Sequence, residues 1–316
     1  MKFLVCLLLA ASSVAAQVST TVVDGLRSKA VRLIAYTNCT AVPSPGEQID
    51  SAVIVIRGER IIAIGKNVAI PRGAEVRDLH GAWVYAGFVE PYLDVRSLAG
   101  STGPSAGRSG NWDEDEAPGI PAQQGARYWN QAIRPERRAT EDLSIRTDAE
   151  SEWTKRGYGA AAVSIHDGIM RGTAAAVLLR EGAAATTVIA DQPHHGMSFR
   201  KGSSKTPYPS SQMGSIALIR QALYDADWYG KAHAAASRGT MPTPPEFNIS
   251  LQALRTLRDA RTPIIAEAQD EHDIARWDAI AREFDLSMTY KGTGTEFRRL
   301  PAMAAMKPTL ILPLTF

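Results

Sequence analysis

The strongest constraint on this chain is the alternation of short apolar runs with helical patterns after Pro135. Glu141–Arg156 reads as a helix. Gly159–Ile165 reads as a short buried strand that stops at His166-Asp167-Gly168. Val177–Leu179 and Thr187–Ala190 read as further short strands. Met213–Lys231 places Ile216, Leu218, Ile219, Leu223 and Tyr224 at helical spacing. Asn248–Arg258 predicts a helix, and Thr262–Ala266 a strand ending in Glu267. Glu271–Phe284 predicts a helix with Ile274, Trp277 and Ile280 inward, and Leu286–Tyr290 a strand before Lys291-Gly292-Thr293-Gly294. Arg298–Met306 and Thr309–Leu312 repeat the pair. Strand and helix alternating at short spacing predict a parallel sheet covered by helices.

Asp94, His166, Asp167, Glu267 and Lys291 all fall at expected strand C-termini. In a β/α barrel that end carries the chemistry, and an open parallel sheet uses the same end. These positions alone do not separate the two architectures.

Upstream, Val53–Ile56, Ile61–Ile64 and Glu75–Leu79 read as short strands broken by Arg57-Gly58-Glu59-Arg60 and Pro71-Arg72-Gly73. They predict a small β-rich domain over 17–86, followed by a second domain over 87–316. Ala82–Val89 is apolar and leads into Glu90-Pro91-Tyr92-Leu93-Asp94. Two polar stretches, 97–126 and 198–211, read as long loops; the first is rich in Gly, Ser and Pro and holds the acidic run Asp113–Glu116. That run lacks the alternating oxygen ligands of a calcium loop.

The start of the chain has a separate meaning. Lys2, the apolar run Phe3–Ala11 and the small residues of Ser12–Ala16 have the layout of a cleaved signal peptide, with a cut before Gln17. Nine residues span about 14 Å as helix, against roughly 30 Å of bilayer core, so a membrane anchor is not expected. An exported protein, periplasmic or secreted, is the expectation. Only Cys39 would remain after cleavage, which excludes an internal disulfide and a thiolate metal cluster. A formal charge of +2 gives no field for nucleic acid. No serine lies in a G-x-S-x-G context. Lys291–Gly294 lacks the order of a phosphate loop. His194-His195 reads as the start of a polar loop. His166 and Asp167, as neighbours on an extended segment, point apart and do not form an acid–base pair.

The stretch Gly58–Asp94, with Gly58, Ile61, Ile64-Gly65, Asp78, Gly81 and Gly87-Phe88 as landmarks, resembles the metal-dependent amidohydrolase superfamily. Ser164–Leu179 and Ser198–Tyr229 are similar to the imidazolonepropionase-like branch, and to the degenerate first module of large exported amidohydrolase proteins. The resemblance implies a small β domain before a (β/α) TIM-like barrel. It also implies a zinc, manganese or magnesium ion activating water against non-peptide carbon–nitrogen bonds. The family's His-x-His pair falls on Tyr92 and Asp94, its fifth-strand histidine on Glu267 and its sixth on Thr295. No ligand histidine stands in these places, and the chain stops at Phe316 soon after the sixth strand. An incomplete barrel is therefore expected, with Tyr92, Asp94, His166, Glu267, Lys291 and Thr295 lining its cavity. Two functions stay open. One is an exported amidohydrolase. The other is a non-catalytic module, or truncated product, that binds a small molecule or packs against a downstream or separate catalytic amidohydrolase module.

Overall fold

The computed structural model describes residues 31–99, 125–180 and 184–313. The expected leader and most of the loop at 97–126 lie outside these residues. The chain divides into two compact units, one ending at Ala86 and one beginning at Gly87.

The first unit is a five-stranded sheet. Its long hairpin joins β1 (Leu33–Ser44) to β2 (Glu47–Arg57), and β2 turns back into β3 (Arg60–Gly65). The second turn needs Gly58 at φ +61°, a region that L side chains rarely adopt. The short β4 (Glu75–Asp78) and β5 (Trp83–Tyr85) both run parallel to β1, at opposite ends of it. Cys39, Ala41, Ala52 and Ile54 form the buried face, and the Cys39 thiol is spent on the Ala52 carbonyl at 3.4 Å.

The second unit is built on seven strands in chain order: β6 (Phe88–Asp94), β7 (Tyr158–Ser164), β8 (Met170–Leu178), β9 (Val188–Ser198), β10 (Ile264–Glu267), β11 (Met288–Lys291) and β12 (Leu310–Ile311). Every pairing is parallel except those of β8, which runs antiparallel to both neighbours. The all-parallel expectation is thus corrected at one strand. Met170–Leu178 directly follows the turn at His166–Ile169, too short a link for a helical crossover, so the chain can only return antiparallel. The fold is mixed α/β, with this barrel-like sheet separate from the small one.

Helices cover the later strands. The outer helices are α1 (Val95–Ala99), α2 (Thr147–Lys155), α3 (Ala184–Thr187), α4 (Gln212–Ser237), α5 (Ile249–Asp259), α6 (Glu271–Phe284) and α7 (Leu300–Met306). Each of α4, α5 and α6 starts on a polar cap that accepts orphan backbone N–H groups: Ser211 from Gly214, Asn248 from Leu251, and Asp270 from His272 and Asp273. Their apolar stripes, among them Leu218, Leu223, Leu254, Ile274 and Trp277, meet Met197, Phe199 and Ile264 in the main core. Phe199 and Trp277 stack there with centroids 3.9 Å apart.

Several boundaries differ from the sequence reading. The helix expected over Glu141–Arg156 begins only at Thr147, because the Glu141 and Asp142 N–H groups close turns onto Arg138 and Ala139, and the Arg146 N–H is drawn off to the Leu98 carbonyl. The short strand expected at Val177–Leu179 is the far end of β8, and Thr187–Ala190 is the junction of α3 with β9. Arg298–Met306 divides into a 3-10 turn at Glu296–Arg299 and α7, since Pro301 cannot donate into the preceding turn.

Candidate functional site

The parallel strands finish together. Asp94 on β6 is in register with Ser164 on β7; Ser198 on β9 is in register with Glu267 on β10, and Glu267 with Lys291 on β11. Because β8 is antiparallel, its first residues, Met170 and Arg171, lie at this same end, with Met170 opposite Met197. A cation that would otherwise sit at the far end of the sheet is delivered to the strand termini.

Arg171 is the centre of the cluster. Its side chain is only 5% exposed. Nη1 donates to the Tyr92 hydroxyl at 3.1 Å and lies 2.8 Å from Glu267 Oε1, while Nε donates to the Gly168 carbonyl at 3.0 Å. The Tyr92 ring stacks on the imidazole of His166, and the His194 ring tilts against it at 6.2 Å. His194 Nε2 shares a buried 2.9 Å hydrogen bond with Ser164 Oγ. His166 Nδ1 stands 4.0 Å from Glu267 Oε1, and among the described residues its buried Nε2 has no hydrogen-bond partner. Asp94 accepts the Arg96 N–H at 3.0 Å.

The electrostatics hold these groups in one protonation state. Burial alone would raise the Glu267 carboxyl, but the Arg171 charge and hydrogen bond outweigh it and bring it down to about 2. Burial pushes His166 down to about 4; the Glu267 and Asp94 carboxylates oppose this, and the Arg171 and Lys291 cations add to it. At 4.0 Å from Glu267, a neutral imidazole makes no ion pair. Burial likewise lowers His194 and His195 to about 4. Burial also raises the Tyr92 phenol, so it stays protonated.

Of the six residues expected to meet, the structure joins Tyr92, His166 and Glu267 directly. Asp94 and Lys291 stand at neighbouring strand ends, and both charges are felt by His166. Thr295 belongs elsewhere: its hydroxyl pairs with Thr293 at 2.7 Å and donates to Glu271 at 3.1 Å. Asp167 turns away from His166 to accept from the backbone and hydroxyl of Ser203. His194 and His195, expected at the start of a polar loop, are buried inside β9. Arg171 lies outside the set that the strand-end pattern indicates. The available signal is that Arg171 is the one charged residue within Ile169–Leu179, a placement that calls for a buried counter-charge.

These residues do not fit a divalent metal. Glu267 is already neutralised by a guanidinium whose charge would repel a dication, and Tyr92 offers a protonated phenol. Thr295 faces other partners. Among the described residues, no three His, Cys, Asp or Glu side chains converge as a metal would need.

No protein-family model and no curated protein matches the chain. Among solved structures, an amidohydrolase from Thermotoga maritima MSB8 is similar over 90% of this chain and 71% of that one, with a TM-score of 0.66 and 18% identity. The fold is amidohydrolase-like. A prolidase complexed with N-methylphosphonate-L-proline (TM-score 0.35, 14% identity, 86% of this chain and 69% of that one) is more distant. So is a guanine deaminase from C. acetobutylicum (TM-score 0.31, 9% identity, 89% of this chain and 74% of that one). At 18% identity the likeness to the Thermotoga protein is one of fold, and what this barrel-like unit does must be argued from its own strand ends.

Proposed function

We propose that this chain is an exported amidohydrolase-like module that binds or scaffolds and does not itself hydrolyse a carbon–nitrogen bond. The observation that carries the reading is Arg171 gripping both Tyr92 and Glu267. Proton transfer is efficient when a group titrates near the working pH. Here Glu267 is held at about 2 and His166 at about 4, so neither exchanges protons effectively at neutrality. On this reading the chain has lost the metal ligands of the imidazolonepropionase-like branch. Its partner is a small molecule at the strand ends or a catalytic amidohydrolase module that it packs against.

The fold itself favours a second reading, a hydrolase acting on non-peptide carbon–nitrogen bonds. One assay separates them. Purified protein is offered cyclic amides, hydantoins and imidazolones with zinc, manganese or magnesium added. Turnover equal to the buffer control is expected. Metal-dependent turnover that Asp94→Asn or Glu267→Gln abolishes would establish the hydrolase instead. Export has its own test, because N-terminal sequencing of protein recovered outside the cytoplasm should begin at Gln17.

A further inference from the structure

The geometry points to Arg171 as the resident cation of this barrel: its guanidinium fills, by a covalently attached side chain, the charge position that a bound divalent ion would otherwise take. The inference rests on the metal-free reading above and adds to it the residue responsible. Two of the positions that the family resemblance assigns to metal ligands, Tyr92 and Glu267, are cross-linked through one nitrogen of Arg171. The third Arg171 contact, Nε to Gly168 O, ties the same guanidinium to the turn just beyond His166. Three separate segments, β6, the β7–β8 turn and β10, are thereby fastened at one charged centre.

A guanidinium and a metal ion serve this end differently. Both neutralise a buried carboxylate and orient its neighbours. The guanidinium offers only N–H donors in a fixed plane and has no open coordination position for water. Arg171 therefore supplies the structural half of a metal's role and leaves out the hydrolytic half. Arg171 is accordingly a positioning residue, since it acts by holding Tyr92 and Glu267.

The test uses the purified chain and reads metal content and thermal unfolding. The wild-type protein should carry no stoichiometric zinc or manganese after incubation with millimolar metal, and its Tm should be the same in zinc, manganese or EDTA. Arg171→Ser should lower Tm by on the order of 10 °C by stranding the Glu267 carboxylate. Methylguanidinium at low millimolar concentration should restore part of that loss in a saturable manner, whereas sodium chloride at equal ionic strength should not. The double variant R171S/E267Q should be more stable than R171S and indifferent to methylguanidinium. Stoichiometric metal uptake by the wild type would overturn both this inference and the metal-free reading. An R171S protein as stable as wild type, or one rescued equally by sodium chloride, would overturn the resident-cation inference alone. Should R171S fail to fold, a folded R171S/E267Q protein would support the inference, and failure of both variants to fold would overturn it, because the guanidinium would then do more than neutralise Glu267.

Discussion

The imidazole of His166 lies over the phenol ring of Tyr92, with 4.3 Å between centroids and 24° between planes. The same phenol is held at its other end by Arg171. Ring contact and hydrogen bond should therefore separate by mutation. Tyr92→Phe keeps the stack and should cost about 1.5–3 kcal/mol, the net worth of one hydrogen bond to a charged group. Tyr92→Ala removes the stack and the buried ring and should cost about 3–5 kcal/mol, in the range of other aromatic truncations. Urea unfolding of the two variants measures the difference.

Glu267→Gln retains shape but leaves the Arg171 charge buried without its counter-ion. Breaking one side of a buried pair costs about 3–5 kcal/mol. This variant should be markedly less stable than Asp94→Asn, because Asp94 sits at the edge of the cluster near Arg96. Chemical denaturation of both proteins at neutral pH provides the comparison.

The pH dependence follows from the direction of each shift. His166, His194 and His195 are lowered from 6.5 to about 4, so the unfolded chain binds more protons than the folded one between those values. Stability therefore rises with pH across this window and falls as pH drops from about 6.5 toward 4. Glu267 is lowered from 4.5 to about 2, so its contribution is present above 4.5 and is lost as pH falls through 2. The two windows add in the same direction, so a Tm titration should stay level from pH 8 to about pH 7 and then fall from about pH 6.5 to pH 3, with no gain on acidification. His194→Asn and His195→Asn should each flatten the upper part of that curve.

Gly172 has φ +86°, and a Cβ built on it would lie 2.1 Å from the Arg137 carbonyl oxygen. That oxygen accepts the Thr173 N–H at 2.8 Å, so it cannot simply withdraw. Gly172→Ala should cost more than the roughly 1–3 kcal/mol of backbone strain alone and reduce the yield of soluble protein. Gly46→Ala, at φ +83° with nothing within 4 Å, serves as the control for strain without the clash.

Trp277 links the main core to the site, because its Nε1–H donates to the Glu267 carbonyl at 2.9 Å while its ring stacks on Phe199. Trp277→Phe preserves an aromatic ring but removes that hydrogen bond to the Glu267 carbonyl. A loss of about 2–4 kcal/mol is expected, measured by calorimetry.

The periodic and capped segments were legible from sequence. Glu271–Phe284 is a helix with the bounds its pattern indicates, since Asp270 caps it and Ile274, Trp277 and Ile280 repeat at the helical period. Strand ends were legible for the same reason: an apolar run that breaks at Glu267 or Lys291 must leave the core there. What sequence could not supply was the direction of β8. Direction depends on how short a link joins β7 to β8 and on which neighbours accept its backbone, and both are properties of the folded sheet. That one antiparallel strand decided the character of the site. It carried Arg171 to the strand ends, where a guanidinium meets Glu267 and Tyr92. From sequence alone came the set of polar residues at the ends of buried strands; only the tertiary structure decided that Glu267 and Tyr92 among them share a buried cation of the chain itself, because groups far apart along the chain find each other through sheet register and strand direction.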